Sequence, residues 1–253
     1  MRSGVSVTYI GGPTALVEIG GVRLLTDPTF DPAGTDYPTP VYTLRKTQAA
    51  AIDASALGRV DAVLLSHDHH FDNLDRAGRA LLADVPLTLT TTVGAERLGG
   101  TARGLAPWES VQLSDVVRVT ATPARHGPAG GDRGPVVGFV LTSPDQDGAV
   151  YVSGDTVWFD GVEQIGRRFT IDVALLNMGA AKVAVAGPHA LTFTADDGVA
   201  LARAWPRARI VPLHYEGWEH FTESREEIQH AFEAAGLEAC LSWLAPGTPT
   251  RIS

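Results

Sequence analysis

The sequence predicts an α+β protein, built as a single domain over residues 1–253 with stacked sheets and outer helices. Three observations carry this. Strand patterns dominate both halves of the chain, helical patterns with capping signals are interspersed among them, and no short-period repeat or low-complexity linker divides the 253 residues. Apolar residues make up 44 %, enough for a sizeable core, and mean hydropathy is close to zero.

The elements follow in order. Residues 5–10 alternate, Gly11-Gly12-Pro13 breaks the pattern, and 14–19 resume it. Gly20-Gly21 is a hairpin signal before a third strand at 22–26. Prolines with Asp and Gly mark an irregular loop over 27–40. Residues 60–65 read as a buried strand that stops at Ser66, and 75–82 as a helix. Further strands are expected at 87–92, 116–123, 136–142, 149–153, 171–176 and 209–213. Helices at 195–204 and 224–235 each open on a capping pattern: Thr194 stands three before Asp197, and Ser224 three before Glu227. Cys240 falls in a late strand.

Charge and composition exclude several classes. The formal net charge is −9 without a long like-charged block, which argues against nucleic acid as a main partner. Lys46 and Lys182 are the only lysines, an arginine bias that points to a GC-rich bacterial genome. No stretch approaches the ~18 consecutive apolar residues of a membrane span. Met1-Arg2-Ser3-Gly4 runs straight into the first strand, so no signal peptide is expected. The single cysteine rules out an intramolecular disulfide and suits a reducing compartment. Cytoplasmic location is the expectation, with oligomeric state open and a homo-oligomer among the options.

The chemistry concentrates at strand ends. His67, His69 and His70 follow a strand directly, beside Asp68, Asp72 and Asp75. Imidazoles and carboxylates converging on one loop suit zinc or a similar divalent ion. Later strands repeat the pattern, ending in Arg125-His126, in Gly154-Asp155 and in Leu213-His214. One histidine at a strand end is usually structural. Four successive strands ending in His or Asp are not readily explained that way.

On these residues the chain resembles the metallo-β-lactamase superfamily, especially its branch of small bacterial hydrolases related to the ascorbate-phosphate lactonase. The segments carrying the likeness are Gly20-Gly21-Val22-Arg23-Leu24-Leu25-Thr26-Asp27-Pro28, Ser66-His67, Arg125-His126, Ser153-Gly154-Asp155-Thr156 and Pro212-Leu213-His214-Tyr215. The resemblance implies a four-layer αββα sandwich with metals in a cleft along one edge. It implies that His67, one of His69 and His70, and His126 hold a first ion. Asp155 would bridge two ions, with Asp72 and His214 holding the second. Asp72 and Asp155 are then the catalytic candidates, working on a metal-activated water. Asp27 would fix a ligand through a hydrogen bond.

Two departures stand out. The family's His-x-His-x-Asp-His fits only if one residue is inserted after His67, and Asn73 then stands where the family has histidine. The second site is accordingly expected to be weak, filled by a harder metal such as manganese, or empty. At Gly11-Gly12-Pro13-Thr14, relatives of this branch often carry Gly-His-Ala-Thr, so a relative's substrate does not transfer.

Asp68, His69, Tyr215 and Glu216 remain as substrate or supporting contacts, with Trp218 as pocket wall or loop packing. His220 is the weaker candidate for an extra ligand, and Arg45 and Lys46 read as surface charge. No Gly-x-Ser-x-Gly elbow, paired thiol or phosphate loop is present. The expected function is hydrolysis of an ester, lactone or phosphoester of a small molecule, using one or two divalent ions (zinc, with manganese or iron as alternatives). The competing reading keeps the fold and the metal but gives a non-hydrolytic binding or redox role.

Overall fold

In the computed structural model, which describes residues 4–252, the apolar side chains sort into three large separate cores. Residues 1–3, read above as running into the first strand without a signal peptide, lie outside the described residues, as does residue 253. The first half holds β1 (Val5–Gly11), β2 (Thr14–Ile19), β3 (Val22–Thr26), β4 (Asp36–Pro38), β5 (Thr43–Arg45), β6 (Ala62–Leu64), β7 (Thr88–Thr90) and β8 (Ala102–Gly104). The second holds β9 (Ser110–Gln112), β10 (Arg118–Pro123), β11 (Val137–Thr142), β12 (Ala149–Val152), β13 (Ile171–Asn177) and β14 (Arg209–Leu213). The closing strand β15 (Thr250–Ile252) returns to pair with β1. The helices are α1 (Arg76–Leu81), α2 (Thr92–Leu98), α3 (Asp160–Arg168), α4 (Ala195–Ala204) and α5 (Arg225–Ala234).

One sheet runs β15-β1-β2-β3-β6-β7-β8 and the other β14-β13-β12-β11-β10-β9, while β4 and β5 form a small hairpin of their own. Period-two alternation assigns the layers. On β13, Val173 and Leu175 face the core between the sheets, whereas Ala174 and Leu176 face the core that also takes Val162, Val199 and Phe232 from the helices. In the first sheet Leu24 and Leu64 point inward, and Leu25 and Val63 point out to Leu74 and Leu82. Each fully buried Leu or Val contributes roughly 1.5–3 kcal/mol. The result is the expected αββα sandwich.

Strand direction then places the site. β12, β13 and β14 are mutually parallel, and β10 shares their direction because two antiparallel pairings through β11 restore it. β3 and β6 are parallel in the opposite sheet. Their C-terminal ends open onto the rim where the candidate ligands lie.

Both expected capping boxes form, at Thr194 with Asp197 and at Ser224 with Glu227. The expected strand over 87–92 is shorter, because Thr91 turns to cap α2 through Gly94 N–H. Cys240 does not lie in a strand: it ends the short 3-10 turn Glu238–Cys240, whose chain joins the sheet only through a single bridge from Leu241 to Ile210.

Candidate metal centre

The segment after β6 is tied down from beneath. Asp27, just past β3, accepts hydrogen bonds from Ser66 N (2.6 Å), Ser66 Oγ (2.9 Å) and Asn73 Nδ2 (3.2 Å). Ser66 Oγ lies 2.9 Å from His67 Nδ1, which turns His67 Nε2 inward to within 3.0 Å of His70 Nδ1. His126, following β10, donates from Nδ1 to Leu191 O (2.8 Å) and places Nε2 3.1 Å from His70 Nδ1. Three ring nitrogens thus converge. Around a tetrahedral zinc with Zn–N near 2.1 Å they would stand about 3.4 Å apart, so a slight opening accommodates an ion. Burial, reinforced by the neighbouring imidazoles, holds His67 well below its ordinary pKa and brings His70 down to about 3. Neutral imidazole is the form a metal takes.

A second triad lies beside it. Asp72 Oδ2 is 3.0 Å from His220 Nε2 and 3.4 Å from His214 Nε2. Within each triad, one ligand atom per residue lies within 4.8 Å of the others. Asp155 stands between them, with Oδ2 3.7 Å from His126 Nε2 and 3.8 Å from His214 Nε2. Its other oxygen is anchored by Asn177 Nδ2 (2.8 Å) and Asn73 Nδ2 (3.2 Å). Asp155 Oδ2 and both His214 nitrogens are buried without a hydrogen-bond partner. Such orphaned atoms are costly, and here Asp155 Oδ2 and His214 Nε2 lie 3.8 Å apart, as two ligands of one cation would. Burial alone would raise Asp72, but His214 and His220 outweigh it and hold the carboxyl well below its usual range. Burial likewise opposes charge on His214, yet Asp155 and Asp72 together raise its pKa.

Local backbone serves this geometry. His214 has φ +54° and Asp27 +26°, both in the left-handed region that non-glycine residues seldom occupy. Gly154 (φ +58°) is required by contact as well, since a Cβ there would sit 2.5 Å from Ser66 Cβ.

The structure brings together His67, His70, Asp72, His126, Asp155 and His214. Of His69 and His70, it is His70 whose Nδ1 meets His67 and His126, while His69 directs Nε2 to Arg133 O (2.9 Å). Asn73 supports the two carboxylates, and His220 brings an imidazole to the second triad. His220, the weaker candidate on sequence because it belongs to no motif and its only signal was proximity to His214, lies 3.0 Å from Asp72 Oδ2. Asp68 turns away from the centre into a pair with Arg97. Tyr215 packs against Tyr9 and Trp243, and the charge of Glu216 acts on Tyr9 and Tyr215, so neither joins the triads. Tyr215 belongs to the core that also takes the helices. Lys46, expected at the surface, is 3 % exposed and bonds Asp75 Oδ2 at 3.0 Å. Trp218 packs beneath the loop against Tyr37.

Comparison with known proteins agrees with this geometry. The Beta-lactamase superfamily domain matches residues 22–215. A UPF0173 metal-dependent hydrolase of Pyrobaculum aerophilum is 30% identical over 98% of this chain and 100% of that protein. The UPF0173 protein YddR of Bacillus subtilis is 27% identical over 93% and 95%. Among solved structures, a possible metal-dependent hydrolase from Veillonella parvula superposes with TM-score 0.87 at 21% identity, covering 98% and 100% of the two chains. An isothiocyanate hydrolase from Delia radicum gut bacteria gives 0.85 at 23% identity, covering 98% and 99%. The chain belongs to the β-lactamase superfamily, as a metal-dependent hydrolase of the metallo-β-lactamase fold. The relatives come from archaea and bacteria alike, so the arginine bias does not decide the source. Among the described residues no helix is long and apolar enough to cross a membrane.

Proposed function

We propose that the chain hydrolyses an ester, lactone or phosphoester bond of a small molecule at a centre of two divalent ions. His67, His70 and His126 would hold one ion, Asp72, His214 and His220 the other, and Asp155 would face both. The observation that carries this reading is the pair of buried triads sharing the unpartnered Asp155 Oδ2. Ions bound there lower the pKa of water and polarise the bond to be cleaved. The chain's own contribution is positional. Asn73 and Asn177 fix the Asp155 carboxylate, Ser66 and Leu191 set the tautomers of His67 and His126, and Asp72 offers a carboxylate to receive a proton. A three-imidazole set suits zinc, while the set with a carboxylate also accepts manganese or iron. The reading includes a cytoplasmic enzyme without a nucleic-acid or membrane partner.

The test is elemental analysis of the purified protein together with assays on ester, lactone, phosphodiester and isothiocyanate substrates; the last is included because one structural neighbour is named for it. Two ions per chain are expected, with hydrolysis lost in His126→Ala and Asp155→Ala. Folded, metal-loaded protein inert across the panel would overturn the reading.

A further inference from the structure

Arg133 crosses the mouth of the site. Its backbone N–H bonds His126 O (2.8 Å) and its carbonyl accepts from His69 Nε2 (2.9 Å), so its main chain is fixed on the side of the first triad. Its side chain reaches the opposite wall: the guanidinium lies 5.9 Å from the centre of the Tyr42 ring, with Nη2 3.5 Å from the Tyr42 hydroxyl. Tyr42 packs in the aromatic cluster of Tyr37, Trp218, Phe71 and Phe221, and Phe221 touches both His214 and His220. A charged strap therefore spans from one triad's loop to the other's.

This guanidinium is only partly satisfied, by the long bond from Nη2 to Tyr42. Among the described residues no carboxylate pairs with Arg133, and its Nε is buried without a hydrogen-bond partner. Nε–H and the adjacent Nη2–H form one edge of the fork that matches the two oxygens of a carboxylate. A half-buried, unpaired cation over an aromatic wall, at the entrance to a metal centre, is a recognition point for an anion.

We infer that Arg133, with the Tyr42 hydroxyl, binds a carboxylate carried by the substrate outside the bond that is cleaved, and that the aromatic cluster receives the substrate's apolar part. This deepens the hydrolase reading and rests on it for the word substrate. The binding site itself can be tested without any turnover.

Benzoate and benzamide are titrated calorimetrically into the metal-loaded wild type, Arg133→Met and Arg133→Lys. Benzoate is expected to bind the Met variant at least tenfold more weakly than wild type, with the Lys variant between them. Benzamide should bind wild type and Met variant alike. The melting temperature of Arg133→Met should stay close to wild type, because the guanidinium gives up only a long hydrogen bond and a distant ring contact to Tyr42. Equal benzoate affinity in wild type and Met variant, or no benzoate binding at all, overturns the inference. So does an Arg133→Met protein that melts lower while binding benzoate normally, which would make the residue structural. A benzoate difference without hydrolysis of any substrate sinks the hydrolase reading and leaves this site standing. Hydrolysis unaccompanied by an Arg133 effect on benzoate does the reverse.

Discussion

His220 Nε2 lies 3.0 Å from Asp72 Oδ2, although 148 positions separate the two residues in the chain. Their meeting gives the second triad its other imidazole. His220→Ala is therefore expected to retain one ion per chain and to bind the second at least about 100-fold more weakly. His69→Ala should keep both ions. Metal titration of the stripped protein decides: two tight equivalents in His220→Ala would remove that residue from the centre.

Under the proposed two-ion reading, Asn73 would act on both ions through Asp155. Losing its amide leaves that carboxylate held by Asn177 alone. For Asn73→Ala a 10- to 100-fold weakening of metal affinity, roughly the cost of a lost supporting hydrogen bond, is expected at both sites. Competition with a coloured chelator reads it, and a change confined to one site would argue against a shared Asp155.

Acid should act on the metal-free fold through His70. Burial, and next His126, depress its pKa from 6.5 to about 3. Between those values the unfolded chain takes up a proton that the folded chain refuses. The contribution of this group is therefore complete above about 6.5 and lost as pH falls toward 3. Asp27, raised chiefly by burial to about 7, pulls the other way, because its contribution fades as pH rises through that value. Comparison with His70→Asn isolates the histidine: the variant should gain stability relative to wild type as pH falls from about 6.5 to 4. Denaturant melts of the chelated proteins measure this, and parallel profiles would count against it.

Lys46 and Asp75 form a buried ion pair at 3.0 Å. Asp75 also accepts from Asp31 N and Gly78 N, so it stays partly satisfied when the ammonium is removed. Lys46→Met should cost about 3 kcal/mol, the low end for breaking such a pair. Main-chain bonds from Thr47 N to Gly217 O and from Glu219 N to Arg45 O link this segment to the loop of His220. A weaker second ion is expected alongside the lost stability. Unfolding by urea and metal titration test the two effects separately.

Much of the fold was legible because alternating apolar residues leave a strong mark. Long strands such as β1, β2 and β11 fall close to where the pattern put them, and the capping boxes at Thr194 and Ser224 announced α4 and α5. Three-residue strands such as β8 and β15 carry too little periodicity to be read, and α2 follows directly on a threonine-rich strand signal that reaches only its first residue. Among candidate site residues, the strand-end positions of His67, His126, Asp155 and His214 were legible because each follows a recognisable strand. His220 was not, since only the packing of Trp218 and Lys46 beneath its loop brings it to Asp72. The choice between His69 and His70 likewise depended on the Arg133 carbonyl that captures His69.

Every side chain of the two triads stands beyond the last rung of its strand, on rim segments that the inner core does not depend on. A lineage with this architecture can therefore rewire its coordination without repacking its interior. Side chains on these loops can change while each strand keeps its register. Ion preference and reactivity are then free to diverge on the loops, under a scaffold that registers none of the change.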